Sequence, residues 1–388
     1  MRLYLLYIKH VYPHKTWKNQ NKISLLISYT KMKGVILHGG NGTRLRPLTY
    51  TDVKQLLPLA GKPVSEYALL NLIEIGITEV NIIVGKIGEK EVRDYYGDGS
   101  KWGISITYTY QEKPLGIAHA IGMTSNFVKK DNFVVVLGDN FFQNGLTDLY
   151  KTFENGNLDS LIALTSVKDP RQFGIAEIKE DKIISLVEKP NEPRSNLAIT
   201  GAYFLTYKIF SIIDILKPSW RNELEITEAF QIMLERGMSI GYTIISGWWK
   251  DTGTVDEFLD CNRMVLDKIA SDAKTNDSNY EGKISGRVQI GKNVKIEGQS
   301  RVLGPCCIGD DTAISDSYVG PYSSIGSKCI LTNIEIEDSI VMDGSSIEIA
   351  NGYRISRSLI GSNVNVKPTS TKTRTMRLVI GRDSKIEM

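Results

Sequence analysis

From Ile284 onward the large aliphatic residues fall six apart: Ile284, Ile290, Ile296, Val302, Ile308 and Ile314. Glycine often follows the aliphatic position, as at Gly291, Gly309 and Gly326. The phase slips by one residue after Ile314, to Val319, and resumes at Ile325 and Leu331. Ile360-Gly361 and Ile380-Gly381 repeat the pair further on. A chain that turns a corner every six residues and points one apolar side chain inward per flat side builds a left-handed parallel β-helix. The pattern predicts that architecture for residues 284–388, the tail included. By itself it carries no chemistry.

The preceding region reads differently. Between Met32 and Ile269, strand-like and helix-like stretches alternate, which argues for an α/β domain with a mostly parallel sheet. Expected strands are Val35–Leu37, Val80–Val84, Ile104–Tyr110 and Phe133–Leu137. Helices are expected over Glu66–Ile75 and from about Ile117 to Phe127. Ile175–Ile178 and Ile183–Glu188 suggest a hairpin, Ala198–Leu205 and Ile240–Ile245 further strands, and Val255–Ile269 a closing helix. Residues 270–283 turn polar and mark a linker. Phe133–Leu137 is unbroken in its apolar character, as a strand covered on both faces should be. Ligands of such sheets bind beyond the carboxyl ends of the strands. The loop after the first strand and Asp139 after Phe133–Leu137 should therefore share one edge.

That first loop is Gly39-Gly40-Asn41-Gly42-Thr43-Arg44-Leu45-Arg46-Pro47, with Lys54 ten residues after Arg44. Glycines bare the backbone N–H groups, and those groups together with arginine cradle phosphates. Two common phosphate loops are excluded. A dinucleotide fingerprint would need glycine where Leu45 stands, and a Walker loop would need Ser or Thr where Pro63 follows Gly61-Lys62.

What remains resembles the signature of the sugar-1-phosphate nucleotidylyltransferases. The continuation Lys54-Gln55-Leu56-Leu57-Pro58 is similar to their glucose-1-phosphate thymidylyltransferase branch. An appended β-helix is similar to the long form of those enzymes, over roughly residues 32–366. The resemblance implies a Rossmann-like nucleotidyltransferase domain over 32–269. It implies attack of a sugar-1-phosphate oxygen on the α-phosphorus of a nucleoside triphosphate, with pyrophosphate leaving. Such chemistry relies on positioning and on charge stabilisation.

The resemblance also assigns residues. Gly39, Gly40, Gly42, Thr43 and Arg44 would bind the nucleotide, with Arg44 and Lys54 at the phosphates. A guanidinium suits that task because it can bind two phosphate oxygens at once. Gln111 and Gly116 would face the base, since a side-chain amide offers both a donor and an acceptor to a pyrimidine. Glu188 would contact sugar hydroxyls and Lys189 the sugar phosphate, with Gly174 and Gly201 beside the sugar. Phe173 departs from the tyrosine often found in the family. Asp139, in Leu137-Gly138-Asp139-Asn140, and Asp251, in Trp249-Lys250-Asp251-Thr252-Gly253, would hold Mg²⁺. That ion takes oxygen ligands, usually one or two carboxylates with phosphates and water. The plainer alternatives are that Asp139 caps a turn, Asp251 caps the following helix, and Lys54 is a solvated lysine at a helix start.

Expected substrates are dTTP, with UTP as a second choice because the two pyrimidines differ by one methyl group, and glucose 1-phosphate. A catalytically silent sugar-nucleotide-binding subunit is the rival reading. It would be expected to have lost an aspartate or the loop arginine. The β-helix contains no histidine to serve as an acyl-transfer base, since the four histidines are His10, His14, His38 and His119. An edge-covering role with homo-oligomer contacts is expected for it instead.

Bulk properties narrow the partners. The 47 basic and 44 acidic residues leave a net charge of +3, which gives no reason to expect a nucleic-acid partner. Cys261, Cys306, Cys307 and Cys329 form no Cys-x-x-Cys pair, and a reducing cytoplasm is expected. No apolar run is long enough to suggest a membrane span. Residues 1–31 hold six Lys or Arg and no acid, and read as a dispensable extension, the alternative being a basic docking arm.

Overall fold

The computed structural model describes residues 32–40, 42–269, 283–349, 353–367, 375–376 and 378–387. The N-terminal extension and residues 270–282 of the expected linker lie outside them. The described chain groups into two compact units. Met1–Gly40 with Ser65–Asp251 forms the first, and Asn41–Val64 with Thr252–Met388 forms the second.

The first unit is built on a nine-stranded mixed sheet. Its strands are β1 (Lys33–His38), β2 (Glu79–Gly85), β3 (Ser105–Gln111), β4 (Phe133–Leu137), β6 (Ser160–Ser166), β7 (Gly174–Lys179), β8 (Lys182–Glu188), β9 (Leu197–Leu205) and β10 (Ile240–Ile244). A separate two-stranded ribbon pairs β5 (Asn140–Phe142) with β11 (Trp249–Asp251). The main path runs β8–β7–β9–β4–β1–β2–β3, with β6 on β9 and β10 on β6. The β4–β1–β2–β3 half is wholly parallel. β9 runs antiparallel to β4, β6 and β7, so the direction reverses beyond the parallel half.

β1 and β4 are buried almost throughout, as their unbroken aliphatic runs require. Helices α1 (Val64–Glu74), α2 (Glu89–Tyr96), α3 (Ile117–Gly122), α4 (Ser125–Val128), α5 (Thr147–Asn155), α6 (Ile209–Ile213) and α7 (Ile226–Glu235) complete the α/β pattern. One expected helix divides. Residues 117–127 form α3 and α4 because the fully buried Thr124 turns its hydroxyl onto the Ile121 carbonyl, 2.7 Å away. Such a side-chain bond to the preceding turn competes with the helix ladder.

The second unit carries helix α8 (Val255–Leu266), a two-residue hairpin of Pro58–Leu59 with Lys62–Pro63, and three six-stranded parallel sheets. The three sheets are those of a left-handed β-helix. Ile284 pairs with Val302, Ile290 with Ile308 and Ile296 with Ile314, so one coil is three hexads. Val302 then pairs with Val319, one residue early, which is the phase slip seen in the sequence. Val302, Ile308, Ile314, Val319, Ile325 and Leu331 are all buried in its core.

Asn262 of α8 ties three parts of this unit together. Its Oδ1 accepts from the Ala60 backbone N–H at 2.9 Å and from Ser324 Oγ at 2.7 Å, while Nδ2 donates to the Tyr322 carbonyl at 3.1 Å. Asn262→Leu removes all three bonds at a buried site. At about 1 kcal/mol each before relaxation, roughly 2 kcal/mol should be lost. The thermal midpoint of this unit, followed calorimetrically, should fall by roughly 4–8 °C. A midpoint that does not move would show that the staple contributes nothing.

Candidate active site

The parallel half of the sheet aligns several expected residues on one edge. His38 is opposite Val84, Gly85 is opposite Gln111, and Leu37 is opposite Leu137. Gly39 and Gly40 leave β1 at this edge, Gln111 ends β3, and Asp139 follows β4. Three strand steps separate Gln111 from Asp139, roughly 14 Å at the usual interstrand spacing. That span suits a nucleotide lying across the carboxyl ends of the strands.

Asp139 and Asp251 lie far apart in the chain, but the ribbon brings them close. Asp251 sits opposite Asn140, one residue along from Asp139. The Asn140 side chain, almost wholly buried, locks this arrangement. Its Nδ2 donates to Asp139 Oδ1 at 2.8 Å. Its Oδ1 accepts from Trp249 Nε1 at 2.7 Å and from the Gly201 backbone N–H at 3.1 Å. A Cβ on Gly201 would collide with that amide oxygen, so glycine is needed there for the close approach. The aspartate after β4, the glycine of β9 and the motif around Asp251 therefore meet at one amide. Asp251 does not cap the next helix. Thr254 does, its Oγ1 accepting from the Glu257 N–H at 3.3 Å within a reciprocal capping box.

Among the described residues no cluster of three or more His, Cys, Asp or Glu could hold a metal. The two aspartates are a pair of hard oxygen donors. That set fits a magnesium ion completed by phosphate oxygens and water, and it does not fit a closed structural metal site. His38 is buried nearby, with its ring edge-on to Tyr96 at 5.8 Å and neither nitrogen hydrogen-bonded. Burial pushes its pKa down to about 3 against the pull of Asp139, so the imidazole is neutral.

Gly174, Glu188 and Lys189 gather at the β7–β8 hairpin. Gly174 opens β7 directly opposite Glu188, the last residue of β8. Thr227 Oγ1 donates to Glu188 Oε2 at 2.7 Å. Lys189 Nζ lies 4.0 Å and Arg221 Nη1 3.6 Å from Glu188 Oε1. Burial raises the pKa of Glu188. The Thr227 hydroxyl opposes that shift, Glu225 adds to it, and Lys189 and Arg221 oppose it again. Arg221 also reaches Glu225, 3.3 Å away. The Phe173 ring meets Trp249 edge-on at 5.7 Å, packing the start of β7 against the strand that ends in Asp251. Asn140, Thr227, Arg221 and Glu225 did not stand out in the sequence. Asn140 carried a signal, being a polar residue placed right after an apolar strand and an aspartate.

Gly42, Thr43, Arg44 and Lys54 belong to the second unit. Gly42 is left-handed at φ 56°, and a Cβ there would lie 2.8 Å from Thr49 Cγ2 and 3.3 Å from Lys54 Cβ. Thr49 Oγ1 donates to the Gly42 carbonyl at 2.7 Å, closing the turn. Arg44 is exposed in a short 3₁₀ turn, Thr43–Leu45. Lys54 opens a second such turn, Lys54–Leu56, and is buried, so it is not a solvated surface lysine.

Comparison with known proteins fixes the family. The nucleotidyl transferase model matches residues 33–268. The chain belongs to the nucleotidyl transferase family. It is 43% identical, over 92% of its length and 99% of the relative's, to a glucose-1-phosphate thymidylyltransferase of Streptomyces antibioticus. It is equally 43% identical, over 92% of its length and 100% of the relative's, to a low-salt glycan biosynthesis nucleotidyltransferase of Haloferax volcanii. Among solved structures it resembles a Bacillus anthracis protein assigned as a glucose-1-phosphate thymidylyltransferase. That match has 42% identity and a TM-score of 0.57, and covers 60% of this chain and 95% of the other. No helix among the described residues of this nucleotidyl transferase is long and apolar enough to cross a membrane.

Asn140→Leu leaves the Trp249 and Gly201 donors without this acceptor and removes the amide bond to the Asp139 carboxylate. Misplacing reacting groups by about 1 Å costs roughly a hundredfold in rate. Nucleotidyl transfer, followed as pyrophosphate release, should fall by about that factor while circular dichroism stays native. A variant keeping half its turnover would show that Asn140 does not organise the site.

Proposed function

We propose that this nucleotidyl transferase moves a thymidylyl group from dTTP to glucose 1-phosphate, giving dTDP-glucose and pyrophosphate. The observation that carries the reading is the convergence of Asp139, Gly201 and the Trp249–Asp251 strand on Asn140. Three motifs assigned separately to metal and sugar thereby belong to one place. The full-length likeness to a thymidylyltransferase supports the choice of substrates.

Each residue then has a task. Gln111, at the end of β3, pairs with the edge of the base. The N–H groups after β1 and, by their motif position, Arg44 and Lys54 take the triphosphate charge. Glu188 receives sugar hydroxyls, and Lys189 the phosphate of the sugar. Asp139 and Asp251 would hold Mg²⁺, which supplies charge neutralisation at the phosphates when bound. Both reactants are anions, so cancelling their repulsion and aligning the attacking oxygen is most of the catalysis. Discrimination between dTTP and UTP rests on one methyl group and should amount to only about 1–3 kcal/mol.

A substrate matrix crossing dTTP, UTP, ATP and GTP with glucose 1-phosphate, with and without Mg²⁺, tests the reading through pyrophosphate release. The expected result is Mg²⁺-dependent turnover with dTTP first and UTP second. A preference for a purine triphosphate would overturn it. Asp139→Asn should keep the fold and cut kcat by at least a hundredfold, since it removes a charge that acts on the phosphates. Near-normal kcat in that variant would reject the metal assignment.

A further inference from the structure

Gln111 is almost fully buried, and its side chain is not left to rotate freely. Its Nε2 lies 2.9 Å from Nδ1 of His119, on α3. The chain entering α3, just before His119, is clamped. Leu224 donates its N–H to the Leu115 carbonyl at 2.8 Å and accepts from the Ala118 N–H at 3.1 Å, clamping the start of α3 on both sides. Gly116, at φ 104° between those two bonds, lies so close to Leu224 that a Cβ would strike its backbone.

We propose that His119 fixes the orientation of the Gln111 amide and so sets which pyrimidine edge the site accepts. This rests on the assignment of Gln111 to the base. An amide is nearly symmetric in shape but not in polarity, since one arm donates and the other accepts. When the His119 ring carries its proton on Nε2 alone, Nδ1 is an acceptor, and only the NH₂ arm can satisfy it. The carbonyl arm and the second N–H then face the base in a fixed order. Thymine and uracil offer a donor at N3 beside a carbonyl acceptor. Cytosine offers the reverse, an acceptor at N3 beside an amino donor. One amide orientation matches the first pair, and the flipped amide matches the second. His119 is therefore a positioning residue that excludes cytosine nucleotides and is indifferent to the methyl group that separates thymine from uracil.

The test compares kcat/KM for dTTP, UTP and dCTP with glucose 1-phosphate in the wild type, His119→Phe, His119→Gln and Gln111→Leu. Releasing the amide forfeits about one hydrogen bond of discrimination, so the dTTP-to-dCTP ratio should fall roughly tenfold in His119→Phe. The dTTP-to-UTP ratio should stay within twofold of the wild type. His119→Gln, which restores an acceptor, should recover part of the lost ratio. If the phenylalanine variant does not fold, His119→Ala takes its place with the same expectation. An unchanged dTTP-to-dCTP ratio in the His119 variants, with the ratio collapsed in Gln111→Leu, overturns the role of His119 and leaves the base site standing. Equal losses for all three nucleotides in the His119 variants mean general distortion, and also overturn it. A Gln111→Leu enzyme with an unaltered ratio removes the base-site assignment itself.

Discussion

The first unit depends on one buried amide. Asn140 leaves β4 one residue after Asp139, and its side chain takes up the Trp249 indole, the Gly201 backbone and the Asp139 carboxylate together. A buried amide has two donors and two lone pairs, and an unmet one is costly. Moving any of these three partners would leave a polar group stranded away from water. The cost falls on local geometry, because the same three contacts fix where both aspartates and Gly201 sit. The ribbon of β5 and β11 is too short to be stable alone, with three residues in each strand. It persists because the amide and the Phe173–Trp249 ring contact hold it against the sheet.

In the second unit the phosphate-loop segment is built in with the β-helix. Asn262 holds the hairpin at Ala60 against the coil at Ser324. The last described coil donates from Arg382 to Asp52 at 2.6 Å, two residues before Lys54. Arg263 and Arg357 both pair with the buried Asp338, at 2.6 and 3.3 Å, and Arg357 reaches Asp256 of α8 at 3.2 Å. A glycine-rich loop with exposed arginines would otherwise be among the least stable parts of a chain. The contacts at Ala60 and Asp52 brace that segment against α8 and the last described coil. The β-helix thus packs in the same unit as Arg44 and Lys54 and steadies the segment that carries them.

Features encoded in short, repeated patterns were legible in the sequence. The hexads located the coils, including the one-residue slip at Val319, because each position answers to the same inward-facing slot. Phe133–Leu137 and the hairpin ending at Glu188 emerged with correct bounds or nearly so, since burial on two faces or one leaves its mark locally. The break after Gly122 was hidden, because it turns on one threonine hydroxyl. The partners of Glu188 were also hidden. Thr227 and Arg221 come from beyond β9, and no local pattern announces a pairing across 39 residues. Family likeness pointed to acidic and basic residues, and the neutral groups beside them, Asn140 and Thr227, are set by the tertiary fold.

The two carboxylate centres of the first unit have been given different company, and that difference argues for different jobs. Glu188 stands among Thr227, Lys189 and Arg221, which oppose the upward push that burial and Glu225 give its pKa. Asp139 is steadied by the neutral amide of Asn140, and its buried histidine neighbour is held uncharged. An amide fixes a carboxylate without cancelling its charge. With Asp251 brought alongside by the ribbon, two carboxylates stand near one another beside an amide that leaves their charge in place.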